Sequence, residues 1–595
     1  MQTSYRTHMC GELGREELGK KVRVCGWVQR RRDLGGVIFI HLRDRTGIIQ
    51  LMVDSEKQKD IFEIVDKVRN EYVLSVSATV IERTPENYNP NISTGEVELL
   101  CDEIIILDAA QTPAIYIDDN DKTGETKRLE YRYLDLRKPM MQEKLMMRHK
   151  TVQIIRNFLN NEGFLDIETP FLTKPTPEGA RDFLVPSRIQ SGNFFALPQS
   201  PQIFKQILMV SGFDRYYQIV KCFRDEDLRQ DRQPEFTQID MEMSFIDVED
   251  VIDVNERLIA KVFSEVIGYE IQTPINRMKY AEAMDRFGSD KPDLRFGMEL
   301  INITDIVKGC GFKVFASATE IGSVRAINAK GANAKLSRKD LDGLTDFAKQ
   351  FGAKGLAWFV IEDGNVKSPV AKFLTEDELK AILDRMDAEV GDIIFVVADK
   401  DKVVFDTLGQ LRLHLAKKLE VKKDEGYAFT WVTEFPLLEY SEEDNRFYAM
   451  HHPFTSPYIE DIDLMQTDPA KVRAKAYDLV VNGMELGGGS IRIHNQELQQ
   501  NMFKALGFSE EEAQMKFGFL LNALKYGTPP HGGLAFGLDR LIMILTGAES
   551  IREVIAFPKT QNHGCLMTNA PAPADEASLE ELCLRVKKVV AVDKE

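Results

Sequence analysis

Two segments far apart in the chain carry arginines and acidic residues at spacings suited to a nucleotide. Residues 223–226 (Phe-Arg-Asp-Glu) precede a loop rich in Arg, Gln and Asp, and residues 532–540 read Gly-Gly-Leu-Ala-Phe-Gly-Leu-Asp-Arg before the apolar residues 541–545. Glycines let the backbone approach a flat ligand closely, and an arginine just inside a helix adds charge to the positive helix N-terminus. A Gly-rich turn before a helix is common by itself, but the two segments together predict a nucleotide site.

A second set of residues could bind an acidic substrate. Gln202 and Lys205 lie three apart, on one face of a helix that should begin near Ser200. Residues 484–494 alternate like a strand, and three consecutive glycines there clear side chains from a surface that a ligand must approach. Because a buried arginine is costly unless paired, Arg492 in this segment either bridges an acidic residue of the protein or binds an acidic substrate.

The N-terminal pattern predicts a small β-barrel. A helical segment at residues 59–69 separates the third and fourth of five predicted strands, which are residues 22–32, 37–45, 48–54, 72–83 and 97–108. Three strands, a helix and two strands are the order of an OB-fold, which binds single-stranded nucleic acid on its strand 2 to 3 face. Phe39 alternates outward in the second strand, where its ring could stack on a base, although a core phenylalanine is the alternative.

The overall charge restricts how this protein could bind a nucleic acid. With 94 acidic residues against 76 lysines and arginines, the formal net charge is −18, so binding must use local basic surfaces. One such cluster lies within a stretch of thirteen residues: Lys20, Lys21, Arg23, Arg30, Arg31 and Arg32. A solvated strand edge is the competing interpretation of these charges.

Bulk properties indicate a large globular enzyme of the cytoplasm. A length of 595 residues allows three or four domains, and 43% hydrophobic with 29% charged content is ordinary for globular proteins. The sequence contains no apolar run of membrane-spanning length, and its first residues lack a signal or import pattern. The seven scattered cysteines, without a C-x-x-C pair, disfavour a disulfide framework and a structural zinc site.

Three segments resemble the motifs of the class II aminoacyl-tRNA synthetases. Residues 163–170 resemble motif 1, residues 223–226 with 235–242 resemble motif 2, and residues 532–540 resemble motif 3. Over nearly the whole chain the match is to the bacterial aspartyl-tRNA synthetases of class IIb. This resemblance implies activation of L-aspartate with ATP and Mg²⁺, transfer to the 3′ end of tRNA-Asp, and a homodimer.

The resemblance also implies a multidomain α/β fold. It comprises an N-terminal OB-fold β-barrel, a catalytic domain on an antiparallel sheet with flanking helices, and an inserted α+β domain. The expected boundaries are 1–108 for the anticodon-binding barrel, 109–143 for a polar, turn-rich hinge, 144–289 and 424–567 for the two catalytic parts, 290–423 for the insertion and 568–595 for a C-terminal extension.

Periodicity predicts elements within the insertion and at the end of the chain. In the insertion, strands are expected near residues 356–361 and 393–397, and helices near 340–351, 376–385 and 408–418. In the segment that resembles motif 1, a strand ending at Pro170 is expected, and a last helix is expected at about 575–590. No residue of the insertion indicates chemistry.

The same resemblance assigns roles to individual residues in the amino-acid site. Arg492 and Lys205 would bind the side-chain carboxylate of aspartate, with Asp240 orienting them. His451 would lie near that carboxylate, and three residues would lie near the substrate ammonium: Glu178, Ser200 and Gln202. A planar guanidinium can bind a carboxylate through two parallel hydrogen bonds, which an asparagine side chain would match poorly.

For the nucleotide, the resemblance makes Arg224 and Arg540 the catalytic pair, holding the α-phosphate and the terminal phosphate. Asp478 and Glu485 would hold Mg²⁺ through hard oxygen ligands. The remaining ATP-binding residues would be Asp225, Glu226, Gln233, Glu485, Gly537, Leu538 and Asp539. Anticodon bases would contact Arg30, Arg31, Arg32, Leu34, Phe39 and Gln50.

Three other functions remain open. A non-discriminating enzyme that charges both tRNA-Asp and tRNA-Asn shares every catalytic motif; the resemblance associates leucine at position 34 with selective enzymes and histidine with relaxed ones. A non-catalytic nucleic-acid-binding protein of the same fold is disfavoured by the intact Arg224, Glu226, Arg492 and Arg540. An ammonia ligase that activates aspartate would not need the basic, aromatic barrel.

Overall fold

The computed structural model describes residues 2–175 and 180–587, so the candidate residue Glu178 lies outside the described residues. The chain forms two compact units. The first contains Met1–Lys150, Leu228–Gln233 and Ile542–Glu576, and the second contains Thr151–Asp227, Pro234–Leu541 and Ala577–Glu595. The six-part division drawn from the sequence stays a prediction. Among the described helices, none combines the length and apolarity needed to cross a membrane.

A closed five-stranded barrel begins the first unit. Its neighbouring strands follow the order β1-β2-β3-β5-β4, as an OB-fold requires. The elements are β1 (Lys21–Asp33), β2 (Val37–Asp44), β3 (Gly47–Asp54), α1 (Lys59–Asp66), β4 (Val73–Glu82) and β5 (Val97–Asp108). Alternation on β2 buries Ile38, Ile40 and Leu42, so the residues between them face outward. The predicted barrel is confirmed.

Part of the segment predicted as a turn-rich hinge is helical. It contains α2 (Glu125–Glu130) and α3 (Arg132–Asp135), followed by α4 (Pro139–Asn161). The fully buried carboxylate of Asp135 accepts hydrogen bonds from Arg128 and Arg132 at 2.7–3.2 Å. This charge pairing offsets the cost of burying the three groups, and it fixes the two short helices to each other.

The other strands and helices follow in chain order. The strands are β6 (Leu165–Asp166), β7 (Leu184–Pro186), β8 (Phe194–Ala196), β9 (Arg215–Phe223), β10 (Glu235–Ser244), β11 (Arg277–Lys279), β12 (Ile301–Asn302), β13 (Ser323–Ala329), β14 (Ala357–Glu362), β15 (Asn365–Lys367), β16 (Ile393–Asp399), β17 (Phe429–Thr433), β18 (Leu438–Ser441), β19 (Arg446–Ala449), β20 (Ala476–Val481), β21 (Met484–Ile491) and β22 (His531–Gly537). The helices are α5 (Gln202–Val210), α6 (Val248–Ile267), α7 (Tyr280–Phe287), α8 (Thr304–Val307), α9 (Lys313–Ile321), α10 (Arg338–Lys349), α11 (Glu376–Arg385), α12 (Asp401–Lys418), α13 (Leu464–Thr467), α14 (Gln496–Ala505), α15 (Glu510–Ala523), α16 (Leu538–Thr546) and α17 (Glu576–Glu581).

An eight-stranded sheet organises the second unit. Its strand order is β11-β17-β20-β21-β22-β10-β9-β6, and the pairs are antiparallel except β11 with β17 and β6 with β9. Helix α6 packs against β22; it begins at a capping box on Asp247 and ends at Gly268, whose φ of 68° is left-handed. The expected antiparallel sheet with flanking helices is confirmed.

Residues of the expected insertion form their own sheet, with the order β12-β13-β16-β14-β15. One apolar core, which includes Leu344 and Leu411, lies under α10 and α12, and another, which includes Phe315 and Ile382, lies under α9 and α11. The helix predicted at 376–385 is confirmed. Helix α12 begins at Asp401, seven residues before the prediction, because Val404 and Thr407 extend its buried face.

Two predicted lengths are wrong. The strand expected to end at Pro170 pairs over only Leu165 and Asp166. The last helix, expected to run to residue 590, ends at Glu581, and the described residues 582–587 are not helical. Apolar periodicity in the sequence cannot show where backbone pairing stops.

Arg412 on α12 fastens the insertion to the chain that leads into it. Its guanidinium is almost fully buried and donates to the carbonyl oxygens of Asp293, Phe296, Gly297 and Met298 at 2.8–3.2 Å. The guanidinium also lies over the Phe296 ring, 4.0 Å from its centroid. Burial lowers the pKa of Arg412 to about 10, so it remains charged at neutral pH. Four backbone acceptors depend on this one side chain.

Arg412→Met should lower the free energy of unfolding of the second unit by about 2–4 kcal/mol, because buried carbonyl groups lose their donor. Thermal unfolding and hydrogen exchange at residues 293–298 measure the effect. Arg338→Met is the matched control, since that arginine also contacts an aromatic ring but is exposed; it should cost less than about 1 kcal/mol. Equal losses in both variants would contradict the anchoring role.

Candidate active site

Two rows of residues cross one face of the large sheet. Residues that face each other in an antiparallel pair point to the same side, so the registers of five strands define these rows. The first row runs Gln218, Asp240, Ala535, Gly488, Asp478. The second row runs Tyr216, Glu242, Gly533, Ser490, Ala476. Small residues on β22 and β21 thus form the floor of a trough between the acidic residues of β10 and β20, roughly 14 Å apart at the usual strand spacing.

The glycines of this floor make room for buried carboxylates. A Cβ atom on Gly488 would lie 2.2 Å from Oδ1 of Asp478, and one on Gly533 would lie 2.2 Å from Oε2 of Glu242. The sequence predicted that these glycines clear a surface for a ligand. The structure adds that they accommodate acidic side chains directly opposite them on neighbouring strands.

Two buried cations share acidic partners at the β10 side of the trough. Lys205, on α5, places its Nζ 2.6 Å from Asp240 and 3.3 Å from Glu242. Arg492, just after β21, donates from Nε and Nη2 to both oxygens of Glu242 at 2.9 and 3.0 Å. All four side chains are at most 2% exposed. Glu242 therefore joins the two cations into one neutral cluster.

The two acids of this cluster have opposite pKa shifts. Burial raises the pKa of Asp240, an effect that the nearby charge of Lys205 reduces but does not reverse. Burial also acts on Glu242, but the charges of Arg492 and Lys205 outweigh it and lower its pKa. Glu242 is consequently the firmly ionised member of the cluster.

The structure corrects one expectation about Arg492. Asp240 contacts Lys205, whereas Arg492 is oriented by Glu242 and, through Nη1, by Ser490 Oγ at 2.6 Å and His452 Nε2 at 2.7 Å. Of the two alternatives for Arg492, the structure shows the bridge to a protein acid, because Glu242 accepts both hydrogen bonds from one edge of the guanidinium. These contacts use four of the five guanidinium hydrogens, which leaves one Nη2 hydrogen for a ligand.

His452 must be neutral to accept from Arg492. Burial, followed by the charge of Arg492, lowers its pKa well below the usual value. Its Nε2 lies 2.7 Å from Nη1 of Arg492, and its Nδ1 accepts from the backbone N–H of Phe454 at 3.2 Å and lies 3.3 Å from Thr455 Oγ1. The neighbouring His451 has its pKa lowered to about 4 by burial.

Three buried polar atoms in residues predicted for the amino-acid site have no hydrogen-bond partner within the described part of the chain. They are Nε2 of Gln202, Oδ2 of Asp240 and Nδ1 of His451. Ser200, which was predicted with Gln202, accepts from the Gln202 backbone at 3.3 Å. A donor and acceptors left unpaired beside two cations are suited to a small zwitterionic ligand.

The two predicted catalytic arginines belong to the second unit. The Arg224 guanidinium lies over Phe236, 5.1 Å from the ring centroid, and forms no ion pair with any described residue. Arg540 Nη1 donates to the carbonyl oxygen of Glu485. The carboxylate of Asp539 accepts from the Thr237 backbone at 2.8 Å, so it joins the start of α16 to β10.

The remaining predicted ATP residues are spread over both units. Asp225 pairs with Arg181 at 3.5 Å, and Glu226 is half-buried. In the first unit, the side-chain amide of Gln233 accepts from the backbone N–H of Lys559 at 2.7 Å and donates to its carbonyl at 3.1 Å. Near Arg540, Gly537 faces Gln238 across the sheet and Leu538 is buried.

Asp478 and Glu485 form a pair of carboxylates with one nearby ammonium. Burial, and then the charge of Glu485, raises the pKa of Asp478 well above its usual value. Burial opposes ionisation of Glu485 as well, but Lys291, with Nζ 3.2 Å away, and Arg540 lower its pKa. A cation would relieve the repulsion within this pair.

These two residues fit the way proteins bind Mg²⁺. No set of three or more His, Cys, Asp or Glu residues suited to a metal occurs among the residues that the structure describes. Proteins usually hold Mg²⁺ through one or two carboxylates, with waters and substrate phosphates as the other ligands. The pair therefore suits a metal that enters with a nucleotide.

The predicted anticodon residues do not all lie on the same face of the barrel. Opposite pairing places Arg32 beside Phe39, and Arg30 beside His41, which in turn faces Gln50. Phe39 is half-buried and belongs to no described apolar core, so the alternative of a core phenylalanine is wrong. Gln50 donates to Glu98 at 2.7 Å.

Arg31 lies on the opposite face from its two neighbours. It donates to Asp66 at 2.9 Å and to the Val65 carbonyl at 3.2 Å at the end of α1. Leu34 lies in the turn between β1 and β2 and is 70% exposed. Arg30 and Arg32 therefore form one basic edge with Phe39, whereas Arg31 supports the helix.

Sequence reasoning missed four contacting residues: Glu242, Ser490, His452 and Lys291. Glu242 follows Asp240 by two positions in an alternating strand, so its place on the same face could have been predicted. His452 was visible only as a neighbour of His451. Nothing in the local sequence connects Lys291 with Glu485, because almost two hundred residues separate them.

Comparison with known proteins identifies the family. The profile of the class II tRNA synthetases (D, K and N) matches residues 124–561, and that of the OB-fold nucleic acid binding domain matches residues 22–107. The chain belongs to the class II tRNA synthetases. This class II synthetase is 60% identical over 582 residues to an aspartate–tRNA(Asp/Asn) ligase of Caldanaerobacter subterraneus, covering 98% of each chain. It is 59% identical over 585 residues to an aspartate–tRNA ligase of Ruminiclostridium cellulolyticum, again covering 98% of each.

Solved structures support the same fold. The synthetase is similar to asparaginyl-tRNA synthetase from Pyrococcus horikoshii, complexed with asparaginyl-adenylate, with a TM-score of 0.58 and 18% identity over 93% of this chain and 98% of that one. Aspartyl tRNA synthetase from Entamoeba histolytica gives a TM-score of 0.56 and 18% identity, covering 92% and 90%. These likenesses establish architecture, which explains why the sequence-based expectation of a class II fold is confirmed.

Glu242→Gln should destabilise the second unit by about 3–5 kcal/mol, because Arg492 and Lys205 would be left buried with one shared charge missing. Thermal unfolding measures the loss. Glu162→Gln is the control, since Glu162 also accepts two bonds from one arginine, Arg257, but at a partly exposed site, where the expected loss is below about 1 kcal/mol. Similar thermal unfolding midpoints for the two variants would contradict a stabilising role for Glu242.

Proposed function

We propose that this synthetase activates L-aspartate with ATP and transfers it to the 3′ end of tRNA-Asp. The observation that carries the proposal is the buried cluster of Lys205 and Arg492 beside unpaired polar atoms, at one end of a trough floored by small residues. The names of the curated relatives, which are aspartate–tRNA ligases, agree with an acidic amino acid as substrate.

Aspartate recognition uses the cluster without dismantling it. The substrate side-chain carboxylate accepts from Lys205 and from the remaining Nη2 hydrogen of Arg492, while Glu242 keeps the guanidinium in place. Gln202 and Asp240 supply the unpaired donor and acceptor for the rest of the amino acid. Ser200, Glu178 and His451 complete the site by family resemblance. An asparagine amide would place N–H groups against two cations, which is unfavourable.

Activation requires mainly placement and neutralisation of charge. The α-carboxylate of aspartate attacks the α-phosphorus of ATP and pyrophosphate leaves, so nucleophile and leaving group are both anionic. Arg224 binds the α-phosphate and the reacting carboxylate, and Arg540 binds the terminal phosphate. By the family resemblance, the other ATP-binding residues would be Asp225, Glu226, Gln233 and residues 537–539.

Asp478 and Glu485 are the residues that would hold Mg²⁺. The ion supplies neutralisation of the phosphate charge when it is bound. The two carboxylates would hold this charge at the edge of the trough, because both belong to the hairpin of β20 and β21.

Transfer to tRNA uses the barrel for recognition. Arg30, Arg32 and Phe39 lie side by side on the outer face, an arrangement suited to backbone charges and a stacked base. Gln50 and Leu34 contribute to base recognition, and Arg31 contributes by supporting α1. We place the enzyme in the cytoplasm as a homodimer, in agreement with the family resemblance of residues 163–170.

A second candidate function is charging of both tRNA-Asp and tRNA-Asn. The curated relatives at 59–60% identity include ligases named for Asp alone and for Asp/Asn, so similarity at this level does not separate the two functions. Leu34 favours the selective function by the family resemblance. Since its side chain cannot hydrogen-bond a base, its contribution would be steric.

Changing either Arg224 or Arg540 to Ala should lower aspartate-dependent ATP–pyrophosphate exchange at least about a hundredfold, the usual cost of losing one donor to developing charge. Binding of tRNA-Asp should stay near normal. Arg215→Ala is the matched control, because this arginine also lies over an aromatic ring at the other end of β9. Normal exchange in both the Arg224 and Arg540 variants would refute the nucleotide assignment.

Leu34→His should raise charging of tRNA-Asn relative to tRNA-Asp by about ten- to a hundredfold, since one side chain is typically worth about 1–3 kcal/mol of base discrimination. Aminoacylation of separate tRNA-Asp and tRNA-Asn transcripts provides the ratio. Leu18→His, at an exposed leucine before β1, is the control. Efficient charging of tRNA-Asn by the unaltered enzyme would establish the relaxed function instead.

A further inference from the structure

Lys291 connects the start of the insertion with the carboxylate pair of the candidate active site. Its Nζ lies 3.2 Å from Oε2 of Glu485 and 3.6 Å from Oδ2 of Asp290. Its side chain is 39% exposed, so the ammonium is not fixed in a closed core. The same ammonium interacts electrostatically with Asp478. One partly exposed positive charge thus serves the two residues assigned to Mg²⁺.

The chain around Lys291 is packed against the hairpin that carries those carboxylates. A Cβ atom on Gly483, in the turn between β20 and β21, would lie 3.0 Å from Cβ of Asp293. Asp293 accepts from Arg295 at 2.8 Å and from Lys423 at 3.0 Å. Because the hairpin turn and Asp293 touch, the position of Lys291 relative to Glu485 depends on this segment.

The insertion holds the segment in shape. Arg412 on α12 binds the carbonyl oxygen of Asp293 at 2.9 Å and three further carbonyls at residues 296–298. Gly409 on the same helix leaves room for Gly288, since a Cβ atom there would lie 2.5 Å from the Gly288 carbonyl oxygen. Helix α12 is therefore the scaffold that sets where the residues before and after Lys291 lie.

We propose that Lys291 is the built-in counter-cation of the Asp478–Glu485 pair, positioned by the insertion, and that it keeps a free divalent cation from occupying the pair before ATP arrives. This inference rests on the proposed role of these two carboxylates as metal ligands. A divalent ion at the pair is repelled by the ammonium a few ångströms away. ATP brings phosphate oxygens, which attract the lysine and supply the further ligands that the metal needs.

As a consequence, the metal binds together with the nucleotide, and the nucleotide-free enzyme does not bind the metal. The charge of Lys291 is the cause, so arginine should preserve the effect and an uncharged side chain should abolish it. Lys279 offers a matched lysine–glutamate pair, with Glu434 at 2.9 Å, on another strand of the same unit.

The test measures the affinity of the nucleotide-free full-length protein for Mn²⁺. Electron paramagnetic resonance gives the concentration of the unbound ion. Lys291→Met should bind Mn²⁺ at least tenfold more tightly than the unaltered protein. Lys291→Arg and Lys279→Met should bind as the unaltered protein does. Lys291→Gln serves as a second uncharged variant, and thermal unfolding verifies that each variant is folded. Unchanged Mn²⁺ affinity in the folded uncharged variants would overturn the proposal.

A double variant separates this inference from the function on which it rests. Adding Asp478→Asn to Lys291→Met should remove the tightened binding. If tight binding persists, the ion lies elsewhere and the assignment of the metal ligands is wrong. If Asp478→Asn weakens Mn²⁺ binding but Lys291→Met does not strengthen it, the carboxylates bind metal and only the role of Lys291 is wrong.

Arg412→Met tests the contribution of the insertion. Because this variant loosens residues 293–298, it should bind Mn²⁺ more tightly than the unaltered protein, by a smaller factor than Lys291→Met. Arg338→Met, an exposed arginine of the same insertion, should leave the affinity unchanged. An affinity equal to that of the unaltered protein in folded Arg412→Met would show that α12 does not position Lys291.

Discussion

One buried carboxylate, Glu242, holds two positive side chains that would otherwise repel each other. Arg492 binds both of its oxygens, and Lys205 lies 3.3 Å from one of them. Burying an unpaired charge costs far more than burying a neutral cluster, so Arg492 depends on this acid, and Lys205 depends on it together with Asp240 at 2.6 Å. The cluster therefore exists before a substrate arrives, and its geometry does not have to be created by binding. A preformed, desolvated site is what selection of one small acidic molecule requires.

The sheet is built around the same constraint. Large polar side chains fit its face because the strand opposite each acid offers no side chain: Gly533 faces Glu242, and Gly488 faces Asp478. These glycines serve two purposes, since they accommodate the acids and leave a floor on which a flat ligand can lie. Asp539 joins the start of α16 to β10, which fixes the motif that carries Arg540 beside this floor. The pairing of the strands therefore also determines where the acidic side chains lie.

The barrel concentrates positive charge on one part of its surface. Its outer face presents Arg32 beside Phe39 and Arg30 beside His41, so local positive charge and an aromatic surface coexist on a protein of net charge −18. Burial, followed by the arginine charges, lowers the pKa of His41, which keeps it neutral and suited to hydrogen bonding with Gln50. A polyanion is then attracted to one small area rather than to the whole molecule.

The sequence by itself determined the barrel and the limits of helix 376–385, because apolar periodicity is a local property of the chain. The antiparallel sheet and the roles of most candidate site residues came from the resemblance of three motifs to a known family. The sequence did not determine the partners of those residues. The sequence left open whether Arg492 bridges a protein acid or binds a substrate, and only the register of β10 against β22 brought Glu242 to it. In the sequence Arg31 is indistinguishable from Arg30 and Arg32, whereas in the structure it lies on the other face of the strand and contacts α1. Lys291 and Glu485 meet across almost two hundred residues, and such contacts are set by tertiary packing, whose energies no local pattern contains.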